Sequence, residues 1–201
     1  MLFPLHEIFE TLQGEGRHTG RPCLFVRFAG CNLACPWCDT DFSPKLHLKE
    51  EALLQRITSA KTKNVIFTGG EPLLQPGLPA LAKKLKALGY WLAVETNGTL
   101  EPSPELREAL DYIATSPKHG APLNLTRANE VRLVVAEDIT AEWCESIRAA
   151  LPADDYYLSP CDDGQRLRVH EAITLLGQLN ASNPTPPWRL SLQTHKLAGI
   201  P

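Results

Sequence analysis

Short apolar runs alternate with segments of helical spacing along most of the chain, and this alternation restricts the fold more than any other feature of the sequence. Residues 23–29 (CLFVRFA) read as a buried strand, and 65–67, 91–94, 112–114, 131–135, 156–158 and 189–192 read as further strands. Helical spacing falls on 48–57, 77–88, 104–110, 141–150 and 169–179. Glu105 and Glu142 sit in first turns, where acidic side chains suit the helix dipole. Strand and helix in alternation imply an α/β fold with a parallel sheet built from βαβ units. A closed eight-fold barrel takes about 250 residues. This chain has 201, and 116–130 carries no convincing helix. The expected architecture is therefore a partial, open β/α barrel of about six strands, forming one domain over residues 1–201. The sequence shows no repeat, low-complexity stretch or linker, and 183–187 (NPTPP) reads as a rigid loop.

Polar, Gly-rich or Cys-rich motifs follow nearly every strand. The stretch 30–41 follows the first, Thr68-Gly69-Gly70-Glu71-Pro72 the second, Glu95-Thr96-Asn97-Gly98 the third and Ser116-Pro117-Lys118 the fourth. Ser159-Pro160-Cys161-Asp162 and Gln193-Thr194-His195 follow later ones. Parallel sheets bind ligands beyond the carboxyl ends of their strands, so these motifs are expected to share one cleft.

Charge and hydropathy limit the partners. Lys and Arg number 20 against 23 Asp and Glu, and a balance of −3 lacks the basic footprint of a general nucleic-acid binder. No apolar run approaches the roughly 18 residues of a membrane span, and the start (MLFPLHE) has no signal-peptide pattern. The expectation is a cytoplasmic protein with neither a nucleic-acid nor a membrane partner. Thiols stay reduced in that compartment, so clustered cysteines read as metal or catalytic groups.

Cys31, Cys35 and Cys38 place three thiols within eight residues. Thiolates select zinc, copper(I) or iron–sulfur clusters. Structural zinc takes four protein ligands, and the fourth is missing locally. Three thiolates suit a 4Fe–4S cube with one iron open to a small molecule. From the cysteines alone, a zinc site completed by Asp39, His47 or a distant Cys stays open. Cys23 and Cys144 read as core residues, the commonest place for a free thiol, and Cys161 as lining the cleft.

The C-x3-C-x2-C spacing, with Trp37 before the last Cys and Gly69-Gly70-Glu71-Pro72 after the next strand, resembles the radical S-adenosylmethionine (radical SAM) superfamily. The resemblance implies that Cys31, Cys35 and Cys38 hold a 4Fe–4S cluster and that its open iron binds S-adenosylmethionine. It places Trp37, Cys38, Asp39, Gly70, Glu71, Ser116, Pro117, Lys118, Ser159, Pro160, Cys161 and Asp162 around that cofactor, with Glu71 pairing with the methionine ammonium. Without the cysteines, Gly69–Pro72 would read as a strand-to-helix turn, and Lys118 and Asp162 as solvated loop charges.

Four further motifs narrow the resemblance. The run 8–16 (IFETLQGEG), Arg27 in Val26-Arg27-Phe28, Cys38-Asp39-Thr40 and Glu95-Thr96-Asn97-Gly98 together resemble the 7-carboxy-7-deazaguanine synthase family over essentially the whole chain, down to Pro201. That family contracts the ring of 6-carboxy-5,6,7,8-tetrahydropterin to 7-carboxy-7-deazaguanine with loss of ammonia, on the route to queuosine in tRNA. The resemblance implies a lyase, a Mg2+ requirement with Thr40 as ligand, a homodimer, regenerated S-adenosylmethionine and a flavodoxin-like reductant. Leu12, Gln13, Gly14, Glu15, Arg27, Thr68 and Pro201 are the implied substrate contacts.

The residue types suit that substrate. Arg27 can meet a carboxylate bidentately, although an Arg between apolar strand residues equally makes a rim ion pair. Gln13 with the backbone of Leu12 and Gly14 can read a pterin edge, although a Gly-rich run more often makes a turn. Thr40 or Asp39 can equally cap a turn, and Glu95 and Asn97 can hold a ribose or shape one. No catalytic side chain is assigned; Glu15 and His195 are candidates for proton handling. Two alternatives share part of the pattern: a glycyl-radical-enzyme activase, and a non-enzymatic metal-binding module.

Overall fold

The computed structural model describes residues 1–162, 164 and 166–201. Its frame is one nine-stranded sheet that does not close on itself. The strands are β1 (Leu2–Leu12), β2 (Pro22–Phe28), β3 (Leu46–Lys49), β4 (Asn64–Gly69), β5 (Trp91–Thr96), β6 (Tyr112–Thr115), β7 (Glu130–Val135), β8 (Asp155–Pro160) and β9 (Trp188–Leu190). Their spatial order is β3-β1-β2-β4-β5-β6-β7-β8-β9. From β2 onward every neighbouring pair is parallel, whereas β1 lies antiparallel between β2 and β3. The open β/α barrel read from the sequence is thus the fold, enlarged beyond six strands. The added β1 and β3 form an antiparallel edge on the side where β2 would otherwise be exposed.

Helices α1 (Glu50–Thr58), α2 (Leu78–Ala87), α3 (Pro104–Ala109), α4 (Ala141–Ala150), α5 (Val169–Asn180) and α6 (Thr194–Ala198) complete the architecture. Local chemistry sets several of their starts. The Ser103 hydroxyl accepts from Leu106 N ahead of Pro104, and Thr140 accepts from Trp143 N, each satisfying a first-turn donor. Between β6 and β7 the chain crosses without a helix, as its Gly and Pro content predicts.

Strand alternation divides the interior into two layers. Leu24, Val26 and Phe28 of β2, Val65 and Phe67 of β4, Leu92 and Val94 of β5, and Leu133 of β7 face the helices. They pack there on Leu53, Ile57, Leu81, Leu85, Leu106, Cys144 and Leu175. The intervening residues face the concave side, where Cys23, Phe25, Ile66, Ala93, Tyr112 and Ala114 form a second, smaller cluster with Phe9 and Trp91. The same parity places Arg27, Thr68, Glu95, Glu130, Arg132 and Ser159 on the concave side, closer to the cleft. The amino ends of the strands are plugged by the turn 16–18, whose His18 ring sits 5.0 Å from Trp91 and 4.4 Å from Tyr112.

Candidate active site

The carboxyl ends of the parallel strands surround a cleft of about 470 Å³, within the size range of small-molecule sites. Each element contributes what its strand parity allows. β1 and the turn after it supply Phe9, Leu12, Gln13, Gly14 and Glu15; β2 supplies Phe25 and Arg27; β4 supplies Thr68; β5 supplies Glu95. The β6, β7 and β8 ends add Ser116, Lys118, Arg132, Val134 and the run 159–162.

The floor is a charged network. Arg132 reaches Glu15 through Nη1 (2.5 Å), Glu95 through Nη2 (2.7 Å) and Glu130 through Nε (2.9 Å). Glu95 also accepts from Gln13 Nε2 (2.9 Å) and Thr68 Oγ1 (3.1 Å). The Gln13 side-chain oxygen accepts from Glu15 N at 3.1 Å. Burial alone would raise the Glu95 carboxyl, but the Arg132 guanidinium, with Gln13 and Thr68, outweighs it and holds Glu95 below its ordinary value. Glu130 is displaced upward, because its burial exceeds what Arg132, the Arg17 amide and the Tyr112 hydroxyl return. On the wall, Arg27 Nε bonds Glu7 at 2.8 Å. That pair occupies Nε rather than the terminal fork that meets a carboxylate bidentately.

The cysteine loop forms the opposite wall. Cys31, Cys35 and Cys38 all line the cleft. The loop is anchored by Ala29 N to Pro4 O, Gly30 N to Phe42 O and Glu71 N to Gly30 O, each 3.0 Å. Asn32 adds two side-chain ties, to Thr99 at 2.7 Å and Asn97 at 2.9 Å. Among the described residues, no three His, Cys, Asp or Glu side chains gather about a single point as one metal ion requires. A cube-shaped cluster makes no such demand, since each thiolate takes a separate iron. The donor set, three thiols on one anchored loop facing one space, fits that group. Lys118 lies across from the loop, its Nζ 5.2 Å from the Trp37 ring and 2.6 Å from Ser116 Oγ. Burial lowers its affinity for a proton.

The segment after β9 crosses the cleft mouth. Thr194 donates to Gly14 O from both N and Oγ1, each at 2.9 Å. Lys196 Nζ pairs with Asp39 at 2.6 Å, and the Thr11 hydroxyl donates to Pro201 O at 2.8 Å. His195 lies so close to Gly14 that an added Cβ would stand 2.0 Å from its Nδ1, so any larger residue there would displace the His195 side chain. Thr40 lines the cleft and donates to Asp39 at 3.3 Å. The turn beyond is held by Asp41, which accepts from Ser43 N.

Most of the residues singled out in the sequence meet in this cleft: Leu12, Gln13, Gly14, Glu15, Arg27, Thr68 and Pro201; Trp37, Cys38, Asp39, Gly70, Ser116 and Lys118; Ser159, Pro160, Cys161 and Asp162; and Cys31, Cys35 and Thr40. Two do not. Glu71 has no exposed surface, and its carboxylate accepts from Leu73 N (3.0 Å), Thr96 Oγ1 (2.9 Å) and Asn97 N (2.8 Å). It ties the β4 loop to the β5 loop and does not present its charge to a ligand. Pro117 is buried behind the lining, near Gly98. Glu7, Glu130 and Arg132 join the site although no sequence motif marks them. The signal for the last two was a charge at every second position of an otherwise apolar strand, 130 and 132 in EVRLVV.

Gly70 fixes the approach of two loops. A Cβ there would lie 2.1 Å from Gly30 O and 2.7 Å from Cys31 Cβ, so one loop must move. Gly70→Ala is expected to lower stability by about 1–3 kcal/mol in denaturant unfolding. An unchanged midpoint would show that the loops yield without cost.

Comparison with known proteins agrees with this geometry. A family model described as the radical SAM superfamily matches residues 25–153. The chain is 46% identical over 203 residues to a 7-carboxy-7-deazaguanine synthase of Haemophilus influenzae, covering 98% of this chain and 94% of that one. It is 44% identical to a 7-carboxy-7-deazaguanine synthase of Neisseria meningitidis serogroup B, covering 96% and 92%. Among solved structures, QueE from Escherichia coli superposes with a TM-score of 0.74 at 29% identity, covering 96% of this chain and 94% of that one.

Proposed function

The chain belongs to the radical SAM superfamily and, within it, to the 7-carboxy-7-deazaguanine synthases, and from that membership we propose how its cleft is divided between substrate and cofactors. The protein carries out the radical SAM ring contraction of 6-carboxy-5,6,7,8-tetrahydropterin to 7-carboxy-7-deazaguanine with release of ammonia, in queuosine biosynthesis. Bound in the cleft, a 4Fe–4S cluster and S-adenosylmethionine supply one-electron cleavage of a carbon–sulfur bond and with it the capacity to take an unactivated hydrogen atom from substrate. Everything else falls to the protein's own residues.

One observation carries the division: three thiols line one wall of the same 470 Å³ space whose other wall and floor hold Arg27, Gln13, Thr68 and Glu95. Cys31, Cys35 and Cys38 hold the cluster. Gly70, Trp37, Asp39, Ser116, Lys118 and the run 159–162 surround the S-adenosylmethionine. The Arg27 fork takes the substrate carboxylate, and Leu12, Gln13, Gly14, Glu15 and Thr68 meet the pterin edge, which is rich in donors and acceptors. Pro201 and the segment before it cover the substrate and exclude water. Thr40 offers a hard oxygen on the cleft, which suits Mg2+ when waters and the substrate carboxylate complete its shell. Residues 1–201 act as one domain, every strand sharing one sheet. A homodimer, a flavodoxin-like electron donor and a cytoplasmic setting complete the proposal and rest on family membership. No described helix is long and apolar enough to cross a membrane.

Arg27→Ala tests the substrate half. Loss of a charge-assisted bidentate pair is expected to raise KM for the pterin by at least about tenfold, while iron content stays at the wild-type value. A wild-type KM would remove Arg27 from the substrate site.

A further inference from the structure

Arg132 is the most enclosed cation of the cleft floor, its side chain 7% exposed, and three elements converge on it. Glu15 comes from the turn after β1, Glu95 from the end of β5 and Glu130 from the start of β7 itself. A buried guanidinium with three carboxylates is a costly arrangement, since desolvation offsets much of the pairing energy. Apolar residues would fill the same space at no such cost.

The network has a direction. Gln13, Glu15 and Glu95 line both the cleft and a small chamber of about 10 Å³ beneath it. Arg132 lines only the cleft, and Glu130 only the chamber. Glu130 is fixed from below by the Tyr112 hydroxyl and Arg17 N, both at 2.8 Å. Its carboxylate stands 2.9 Å from Arg132 Nε as an ion pair without a hydrogen bond, and the two terminal nitrogens each donate to a different carboxylate on the cleft surface. A planar fork whose two terminal nitrogens each donate to a carboxylate can hold the two at fixed separation, whereas an ammonium cannot.

Resting on the reading of this cleft as the pterin site, we propose that Arg132 is a positioning residue that holds the Glu15 and Glu95 carboxylates in one fixed arrangement beneath the substrate. It acts through Glu95, which also gathers Gln13 and Thr68, so one guanidinium orders four groups of the proposed substrate site. Their order is then present before substrate arrives, and binding does not have to create it.

The test is a double-mutant cycle on binding, with 6-carboxy-5,6,7,8-tetrahydropterin as probe in anaerobic calorimetry. Arg132→Lys retains the charge and is expected to fold and to take up iron as the wild type does. Its Kd is expected to rise by about tenfold, with KM moving more than kcat. Glu95→Gln is also expected to bind more weakly. Because Arg132 works partly through Glu95, the double variant Arg132→Lys/Glu95→Gln should bind more tightly than the sum of the two single losses predicts, the remaining loss over Glu95→Gln reflecting the direct contact with Glu15. A wild-type Kd in a folded Arg132→Lys, or fully additive losses, would overturn the positioning role and leave the substrate reading intact. Absence of pterin binding by the wild-type protein would overturn both.

Discussion

Cys35→Ala is expected to yield a folded protein that retains almost no iron after reconstitution and forms no product. The three thiols sit on one loop and face one cleft, and neither Cys23 nor Cys144 can replace one of them there. Cys23 lies in the concave aromatic layer at 1% exposure, and Cys144 lies on the buried face of α4 at 0%. A cube held by two thiolates has two irons without protein ligands, and it dissociates. The fold itself does not depend on the cluster for its core, since the helix-facing layer and its five packed helices are elsewhere. The measurement is iron and acid-labile sulfide per chain, about four of each in the wild type, read beside a thermal melt. Cys23→Ala is the contrast: it should lose stability and keep its iron. Retention of a full cluster by Cys35→Ala would remove Cys35 from the ligand set.

Glu71→Ala is expected to cost stability rather than cofactor affinity. The sequence places this residue in the methionine-binding motif, but the structure gives its carboxylate to Leu73 N, Thr96 Oγ1 and Asn97 N and leaves it no exposed surface. Truncation strands the buried Thr96 and Asn97 donors and the partly buried Leu73 N, a buried donor costing about 1–3 kcal/mol, so a loss of roughly 3 kcal/mol in denaturant unfolding follows. Burial raises the Glu71 carboxyl, outweighing the amide and hydroxyl donors that favour its ionised form. A group with a raised folded-state pKa favours the fold at pH below its unfolded-state value, and that contribution is lost as pH rises through the folded-state value. Replacement should therefore reduce stability more at mildly acidic pH than at neutral pH. A wild-type melt accompanied by weakened S-adenosylmethionine binding would instead return Glu71 to the ligand.

Much of this molecule was legible in the sequence, and each omission has a physical cause. The parallel strands announce themselves because both their faces are buried, which produces runs such as CLFVRF and VRLVV. β1 escaped because a register shift between Leu5 and Glu7 breaks its alternation, so Phe3 and Leu5 fall in the helix-facing core while Phe9 joins the concave layer. With β1 unseen, the pairing of Glu7 opposite Arg27 could not be anticipated. β3 has four residues and α6 five, too short for periodicity to speak, and such a helix is held by its tertiary contacts rather than by propensity.

The candidate site was legible for a different reason. The cysteine spacing and the Gly-rich turns carry chemistry in consecutive residues, and the rule that ligands bind at strand carboxyl ends gathered them into one cleft. What consecutive residues cannot reveal is which carboxylate a buried cation will meet. Arg132 is 117 residues from Glu15 and 37 from Glu95, and only the curled sheet brings them together. Glu71 failed in the opposite sense: it sits beside ligand-facing glycines in sequence, yet its own backbone turn directs it into the protein.

The most direct test of the account is an anaerobic turnover assay of the reconstituted protein with S-adenosylmethionine, Mg2+, a reductant and 6-carboxy-5,6,7,8-tetrahydropterin, following 5′-deoxyadenosine and the deazapurine chromophore together. 7-Carboxy-7-deazaguanine is expected to accumulate over many turnovers. Slow 5′-deoxyadenosine formation with no deazapurine, from protein carrying its full cluster, would contradict it.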